Sequence, residues 1–474
     1  MADLTPDSGS FRDRSSRVFD DGERIVRGLD TTALKNWTQL VDQQFFRDAL
    51  DRKDVVATEI LPSSESVLPA DWAGAVAHER IPFISYPYEW SFGMLQDAAL
   101  LHLRLLEEAM EHGWTLKDAS AYNIQWKNCL PVFIDTPSYE PYSAGEPWKA
   151  YRQFCMMFLN PLLLQAYKGI DFRPLLRSNL EGIAPDAAAS IFTGLSKFRK
   201  GVFGNVYLHA KMQSRAAKKD LDEAKSLTET SNVEMSAHSG IRHSEAMVMG
   251  TIQSVRRTIE KLRNPADITT WGNYDTDHSY SEASFDAKSS FVEKNAATKR
   301  RKLVWDIGCN TGTFSRLCSP YADAVLSIDG DPKAIERLYQ TEKHNADSNI
   351  LPLIMDIGNM SPNQGWRGLE RKSLERRGKP DLVVCLALMH HIVISANIPL
   401  DAFVDWLRSL DSDIIIEFVS AADDMSRMLL RNRVNQYKDL TENQFESLIG
   451  KSFAVIDKMT IKAGDRTLYY LTPQ

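Results

Sequence analysis

Residues 303–314 read Leu-Val-Trp-Asp-Ile-Gly-Cys-Asn-Thr-Gly-Thr-Phe. An apolar run ends in Asp306, passes Gly308 and Gly312, and opens onto a helix-like stretch. That pattern predicts a strand, a turn and a helix, with glycines letting the backbone pass close to a ligand at the carboxyl end of a parallel strand. A dinucleotide fingerprint would need glycine at positions 310 and 313, where Asn310 and Thr313 stand. The next apolar run ends in Ser327-Ile328-Asp329, 21 residues beyond Gly308. A carboxylate placed there can accept hydrogen bonds from ribose hydroxyls. The implied ligand is a nucleoside without a pyrophosphate.

Outward from this stretch, strands and helices alternate. Apolar strands are predicted at Leu303–Ile307, Ala324–Ile328, Ile350–Met355, Leu382–Leu386 and Asp413–Phe418, then a closing pair at Phe453–Met459 and Thr467–Leu471 around Gly464-Asp465-Arg466. Five strands with intervening helices and a terminal hairpin imply an α/β, doubly wound sheet of seven strands with the last pair antiparallel.

The motif Asp306-x-Gly308-x-Asn310-x-Gly312, with the acidic end of a second strand, resembles the class I S-adenosylmethionine-dependent methyltransferases over residues 266–474. The resemblance implies a Rossmann-like fold and S-adenosyl-L-methionine as cofactor. Its methionine end would lie over the turn Asp306–Gly312, on backbone amides at a helix start. Asp329 would hold the ribose, with Gly330 leaving room, and Asp356 would meet the adenine amino group. Leu386 to His391, at the end of the fourth strand, would line the cleft that faces the methyl donor.

His390 and His391 are adjacent, so in an extended segment they point to opposite sides and make poor joint ligands for one metal. No metal is expected. One of them can position or deprotonate a nucleophile, histidine titrating near neutrality. Glu417, after three isoleucines, is a buried carboxylate that needs a partner. Tyr274 belongs to an aromatic and polar stretch, Trp271 to Tyr280 with Phe285 and Lys288, which in relatives caps the cofactor and touches the acceptor. Tyr274, His390, His391 and Glu417 are the candidate catalytic groups. The reaction expected is in-line attack of an acceptor lone pair on a sulfonium methyl, and nothing in the chain specifies the acceptor atom.

In the N-terminal half, Asp118-x4-Asn123 is followed by an apolar strand ending in Asp135. This resembles the catalytic-loop and metal-binding segments of protein kinases and small-molecule phosphotransferases. A long helix expected over Phe92–His112 precedes it in the matching order. No glycine-rich loop and no Val-Ala-Ile-Lys strand stand upstream, and Asp135 is followed by Thr136-Pro137. The reading is a degenerate, α+β kinase-like accessory domain. Its fusion ahead of a methyltransferase resembles bacterial methyltransferases of nodulation and surface-glycan modification, which points to a small-molecule or glycan-like acceptor. A bifunctional kinase-methyltransferase is the rival reading.

The expected division is a disordered tail (1–15), the accessory domain (16–205), a helical connector (206–265) rich in Ser, Lys, Glu and Ala, and the methyltransferase domain (266–474). A 474-residue chain with 43% hydrophobic and 25% charged residues has ample core for this. A net charge of −7 disfavours an RNA methyltransferase and nucleic-acid partners generally. The basic clusters Lys299–Lys302 and Arg371–Lys379 are expected to be solvated segments. No run of eighteen apolar residues suggests a membrane span, the first ten residues lack a signal-peptide core, and five unpaired-looking cysteines suit a reducing, cytoplasmic setting. Oligomeric state is not legible.

Overall fold

The computed structural model describes residues 4–62, 71–212, 244–264, 282–430, 437, 440–462 and 465–474. The C-terminal half is a seven-stranded sheet. Its strands in chain order are β10 (Arg301–Ile307), β11 (Ala322–Asp329), β12 (Ile350–Ile354), β13 (Leu382–Cys385), β14 (Asp413–Val419), β15 (Phe453–Lys462) and β16 (Arg466–Pro473). They lie side by side as β12-β11-β10-β13-β14-β16-β15. The first five run parallel, and β16 is antiparallel to both β14 and β15. Near-continuous Val, Ile and Leu bury both faces of the central strands, as a sheet covered by helices on each side requires.

Chain order reverses beside β10: β11 and β12 extend to one side and β13 and β14 to the other. In such sheets ligands bind at the carboxyl ends flanking this switch point. The register sets those ends level, since Asp306 pairs with Ser327, Asp329 with Ile354 and Ile307 with Cys385. Gly308, Gly330, Asp356 and Leu386 therefore follow their strands at one edge.

The N-terminal half opens with five antiparallel strands, β1 (Thr5–Pro6), β2 (Ser16–Asp20), β3 (Ile25–Leu29), β4 (Thr58–Leu61) and β5 (Gly74–His78), ordered β1-β2-β3-β5-β4. Apolar spacing over residues 32–51 yields two helices, α1 (Thr31–Leu40) and α2 (Gln44–Asp51), because Gln43 adopts an extended backbone between them. The long helix is α3 (Phe92–Glu111), capped by Ser91, whose hydroxyl accepts from the Met94 amide. Two short antiparallel ladders follow, β6 (Trp114–Leu116) with β9 (Tyr139–Pro141), and β7 (Ile124–Lys127) with β8 (Leu130–Phe133).

Three expectations are corrected. Residues 4–15 are not a disordered tail: β1 pairs with β2, and Arg12 and Asp7 form ion pairs with Glu370 (2.7 Å) and Lys372 (2.6 Å). Ordering comes from partners some 358 residues away in the chain, which local composition does not register.

The connector is the second. Residues 213–243 lie outside the described residues, but α5 (Glu245–Ile259) buries Val248, Ile252, Val255 and Ile259 against α3 and so belongs to the core. The third concerns the basic clusters, each of which contributes a buried guanidinium. Arg301 meets Asp413 at 2.6 Å, and Arg377 meets Glu89 at 2.6 Å.

The two halves share one apolar core. Phe83 stands edge-on to Trp305, and Trp126 edge-on to Tyr339 of α8 (Pro332–Glu342). All five cysteines are free and buried, and no described helix is long and apolar enough to cross a membrane.

Candidate active site

The turn after β10 depends on backbone conformations that favour glycine. Gly308, Asn310 and Gly312 all have positive φ, at 76°, 49° and 84°. At Gly312 a Cβ would also stand 2.5 Å from Leu338 Cδ1 of α8, so any side chain there would have to displace that buried leucine. The helix that follows, α7 (Thr313–Cys318), is short.

The turn's amides are largely engaged within the fold. Gly308 and Cys309 both donate to the Ile328 carbonyl (2.8 and 3.1 Å), and Gly312 donates to Cys309 (2.9 Å). Asn310 donates to Asp329 Oδ2 at 2.8 Å. The acid of the second strand and the turn of the first form one hydrogen-bonded unit.

Asp329 also takes the Asp331 amide on Oδ1 at 2.8 Å. A carboxylate has about four lone-pair sites, so these amides leave part of its accepting capacity unused. It is partly exposed, and burial raises its pKa against the pull of these amides. Gly330 is exposed, with only the Asp356 Cα, at 4.0 Å, near the position of a Cβ. Asp356 is exposed too; its Oδ1 takes the Gly358 amide at 2.8 Å and closes the turn Ile357–Asn359. Leu386 is buried, and the neighbouring Leu388 packs over Gly308.

Asp306 is placed differently from expectation. It is 2% exposed and accepts the Ser315 hydroxyl on Oδ2 at 2.5 Å, while Ser327 donates on to Ser315 at 2.7 Å. It braces α7 against two strands from beneath the turn. Burial pushes its carboxyl up to about 7, with Ser315 pulling the other way. A carboxyl whose pKa rises on folding holds its proton more tightly in the folded chain. Its cost to stability is therefore absent in acid, grows as pH climbs from the ordinary carboxylate range to about 7, and is constant above that. Asp306→Asn is expected to match the wild type near pH 4 and to melt higher at about pH 8. A difference that does not widen between those values contradicts the assignment.

At the end of β13 the two histidines do not sit in extended chain. His390 has helical backbone angles and leads into the wide turn His391–Ser395, so their rings stand 4.4 Å apart rather than on opposite sides. His390 is 2% exposed, and burial, with His391 and Lys288 adding to it, lowers its pKa to about 3. Its Nδ1 is buried without a hydrogen-bond partner among the described residues. His391 is partly exposed, with its pKa lowered by burial. No described group of three His, Cys, Asp or Glu side chains is arranged to hold a metal ion.

Glu417 is a further correction. It is 0% exposed; its Oε2 meets Lys288 Nζ of α6 (Glu282–Ala296) at 2.7 Å and the Ala387 amide at 2.8 Å, and Oε1 lies 3.5 Å from Arg466. An enclosed carboxylate with both oxygens facing cations is a fastening for the segment after β13, not a base that reaches an acceptor. Tyr274 and the stretch from Trp271 to Tyr280 lie outside the described residues. Ser315, Leu338 and Arg466 were not anticipated, because each acts through a partner distant in sequence.

A cleft of about 630 Å³ lies between the halves, lined by Phe92 and Gln96 of α3, Arg263, Arg316 of α7, and Arg337 and Gln340 of α8. It shares only Thr311 with the turn and does not coincide with the end of β13. In the N-terminal half, Asp135 bonds Arg27 of β3 and accepts from Asn123 Nδ2 at 3.2 Å. Asp118 is half-buried, and burial together with Asp135 raises its pKa.

Sheet order, switch point and the coupled turn and acid define a doubly wound, Rossmann-like α/β protein. The chain belongs to the family of the nodulation protein NoeA: the Rhizobium meliloti (strain 1021) protein of that name is 32% identical over 467 residues, 98% of this chain and 95% of that one. No family model matches the chain. Among solved structures it is similar to the N-methyltransferase NodS from Bradyrhizobium japonicum WM9, at 14% identity and TM-score 0.31, covering 41% of this chain and 99% of NodS. It is also similar to magnesium protoporphyrin IX methyltransferase ChlM from Synechocystis PCC 6803 with bound SAH, at 18% identity and TM-score 0.31, covering 43% of this chain and 92% of ChlM.

Proposed function

We propose that this chain is a cytoplasmic S-adenosyl-L-methionine-dependent methyltransferase acting on a small-molecule or glycan-like acceptor. The observation that carries the reading is the bond from the Asn310 amide to Asp329, which joins the turn of β10 to the acid of β11. Asp329, with accepting capacity left beyond the Asn310 and Asp331 amides, suits ribose hydroxyls, and the open space at Gly330 leaves room for the sugar. Asp356, exposed at the end of β12, suits an exocyclic amine. Gly308, at a positive φ of 76°, turns the chain out of β10 beneath Leu388.

When bound, the cofactor supplies an electrophilic methyl. This chain's residues orient the acceptor and manage its proton. His390 is buried and, with its pKa lowered to about 3, takes up a proton poorly; His391, also lowered by burial but partly exposed, is the one of the two that an acceptor can reach and is read as the base. Glu417, paired with Lys288, holds the segment between β13 and the histidines through the Ala387 amide.

The N-terminal half is read as a degenerate kinase-like scaffold that helps to shape the site. With Arg27 and Asn123 already on Asp135, the cluster is poorly disposed to take magnesium. That disfavours the bifunctional rival, which a melting shift with ATP and magnesium would revive. Calorimetry of the purified chain with S-adenosylmethionine and S-adenosylhomocysteine tests the main reading. Saturable binding of both is expected, and heat with neither sinks it.

A further inference from the structure

The chain that follows Asp356 is held by the other half of the molecule. Asp356 closes the turn Ile357–Asn359, in which Ile357 is buried in the core while Asp356, Gly358 and Asn359 are exposed. Its next carbonyls are gripped by one side chain, Arg177 of α4 (Arg173–Ser178) in the N-terminal half. Arg177 Nη1 donates to the Asn359 carbonyl at 3.1 Å, and Nη2 donates to the Asn359 Oδ1 at 3.1 Å and the Met360 carbonyl at 2.8 Å. The contact is reciprocal, because Gln364 Nε2 donates to the Arg177 carbonyl at 2.6 Å. One residue further on, Ser361 donates to the buried Glu89, again from the N-terminal half, at 2.5 Å.

We infer that Arg177 is a positioning residue that sets the Asp356 turn and thereby the recognition of the cofactor's base. The inference rests on the methyltransferase reading and adds to it a residue from the half that carries no cofactor motif. Three consecutive residues, Asn359 to Ser361, are fastened to the N-terminal half, beginning three positions beyond Asp356. A flexible turn would present the Asp356 carboxylate in many orientations, and binding would then have to select one of them. The planar fork of arginine bridges two successive carbonyls and an amide oxygen at once, and a lysine ammonium cannot reproduce that geometry.

The test uses the full-length chain and two ligands: S-adenosylhomocysteine, and its hypoxanthine counterpart, which lacks the exocyclic amine. Arg177→Ala and Arg177→Lys are each expected to weaken S-adenosylhomocysteine about 3- to 10-fold, the size of one or two partly exposed hydrogen bonds. Both are expected to leave the hypoxanthine analogue near its wild-type affinity. Asp356→Ala should show the same loss of discrimination, and Arg177→Ala added to Asp356→Ala should cost nothing more. Equal weakening of both ligands, or additive losses in the double variant, overturns the inference by assigning Arg177 to general stability. Unchanged binding in both Arg177 variants overturns it as well. A wild-type chain that binds neither ligand would sink the methyltransferase reading, and this inference with it.

Discussion

Glu89→Ala is expected to lower the stability of the chain by about 3–5 kcal/mol, because it strips the partner from a fully enclosed cation. Glu89 and Arg377 are each 1% exposed and meet through two parallel bonds of 2.6 and 2.7 Å. The carboxylate also takes the Ser361 hydroxyl at 2.5 Å and the Tyr86 amide at 2.9 Å. The guanidinium lies 4.9 Å from the Phe83 ring centre and 4.6 Å from that of Tyr86. Removing the acid leaves a buried cation that still donates to the Ile84 carbonyl, at 2.8 Å, but faces no carboxylate in place of Glu89. A buried charge without its partner costs far more than the pair contributed. Because Glu89 belongs to the N-terminal half and Arg377 follows β12, the loss would loosen the junction between halves. Denaturant unfolding followed by tryptophan fluorescence checks this, and a midpoint indistinguishable from wild type would refute it. Glu89→Gln, which keeps the shape and some hydrogen bonds, should fall between the two.

Asp329→Ala is expected to raise the dissociation constant for S-adenosylhomocysteine by about 100-fold or more. Hydrogen bonds to a charged group contribute roughly 1.5–3 kcal/mol each, and two ribose contacts make at least a hundredfold. The substitution also frees the Asn310 and Asp331 amides, so turn and acid would no longer move as one. Calorimetry should show loss of binding with the fold retained by circular dichroism. Affinity within about threefold of wild type would mean the ribose is held elsewhere.

Much of this architecture is local in origin and could be read from residue order. Strand positions from Leu303 to Leu471 follow from short apolar runs between turn residues, and the terminal hairpin follows from its spacing. The helix over Phe92–Glu111 ends where Gly113 adopts a positive φ of 75°. Gly312 was legible as a turn glycine before a helix-like stretch, and it adopts a positive φ of 84°, whereas the approach of Leu338 came only with the fold. The histidine pair was misplaced, since nothing in Leu-Met-His-His announces that the strand stops at Cys385 and the chain coils. Glu417 was located but not understood: the need for a partner was plain, whereas the identities of Lys288 and Arg466 depend on α6 and β16 folding over it.

By itself the order of residues determined the strands of a doubly wound sheet, its closing hairpin, and a glycine turn followed by an acid at the end of the next strand. These features depend on steric limits and apolar periodicity within a few residues, and such constraints travel with the local sequence. Only the tertiary structure decided which charged groups are buried, that residues 4–15 dock on residues 370–372, and that Arg177 and Glu89 of the N-terminal half hold the turn after Asp356. Electrostatic partnerships of that kind join residues up to hundreds of positions apart. Their existence depends on how whole layers pack, and no short stretch of sequence records it.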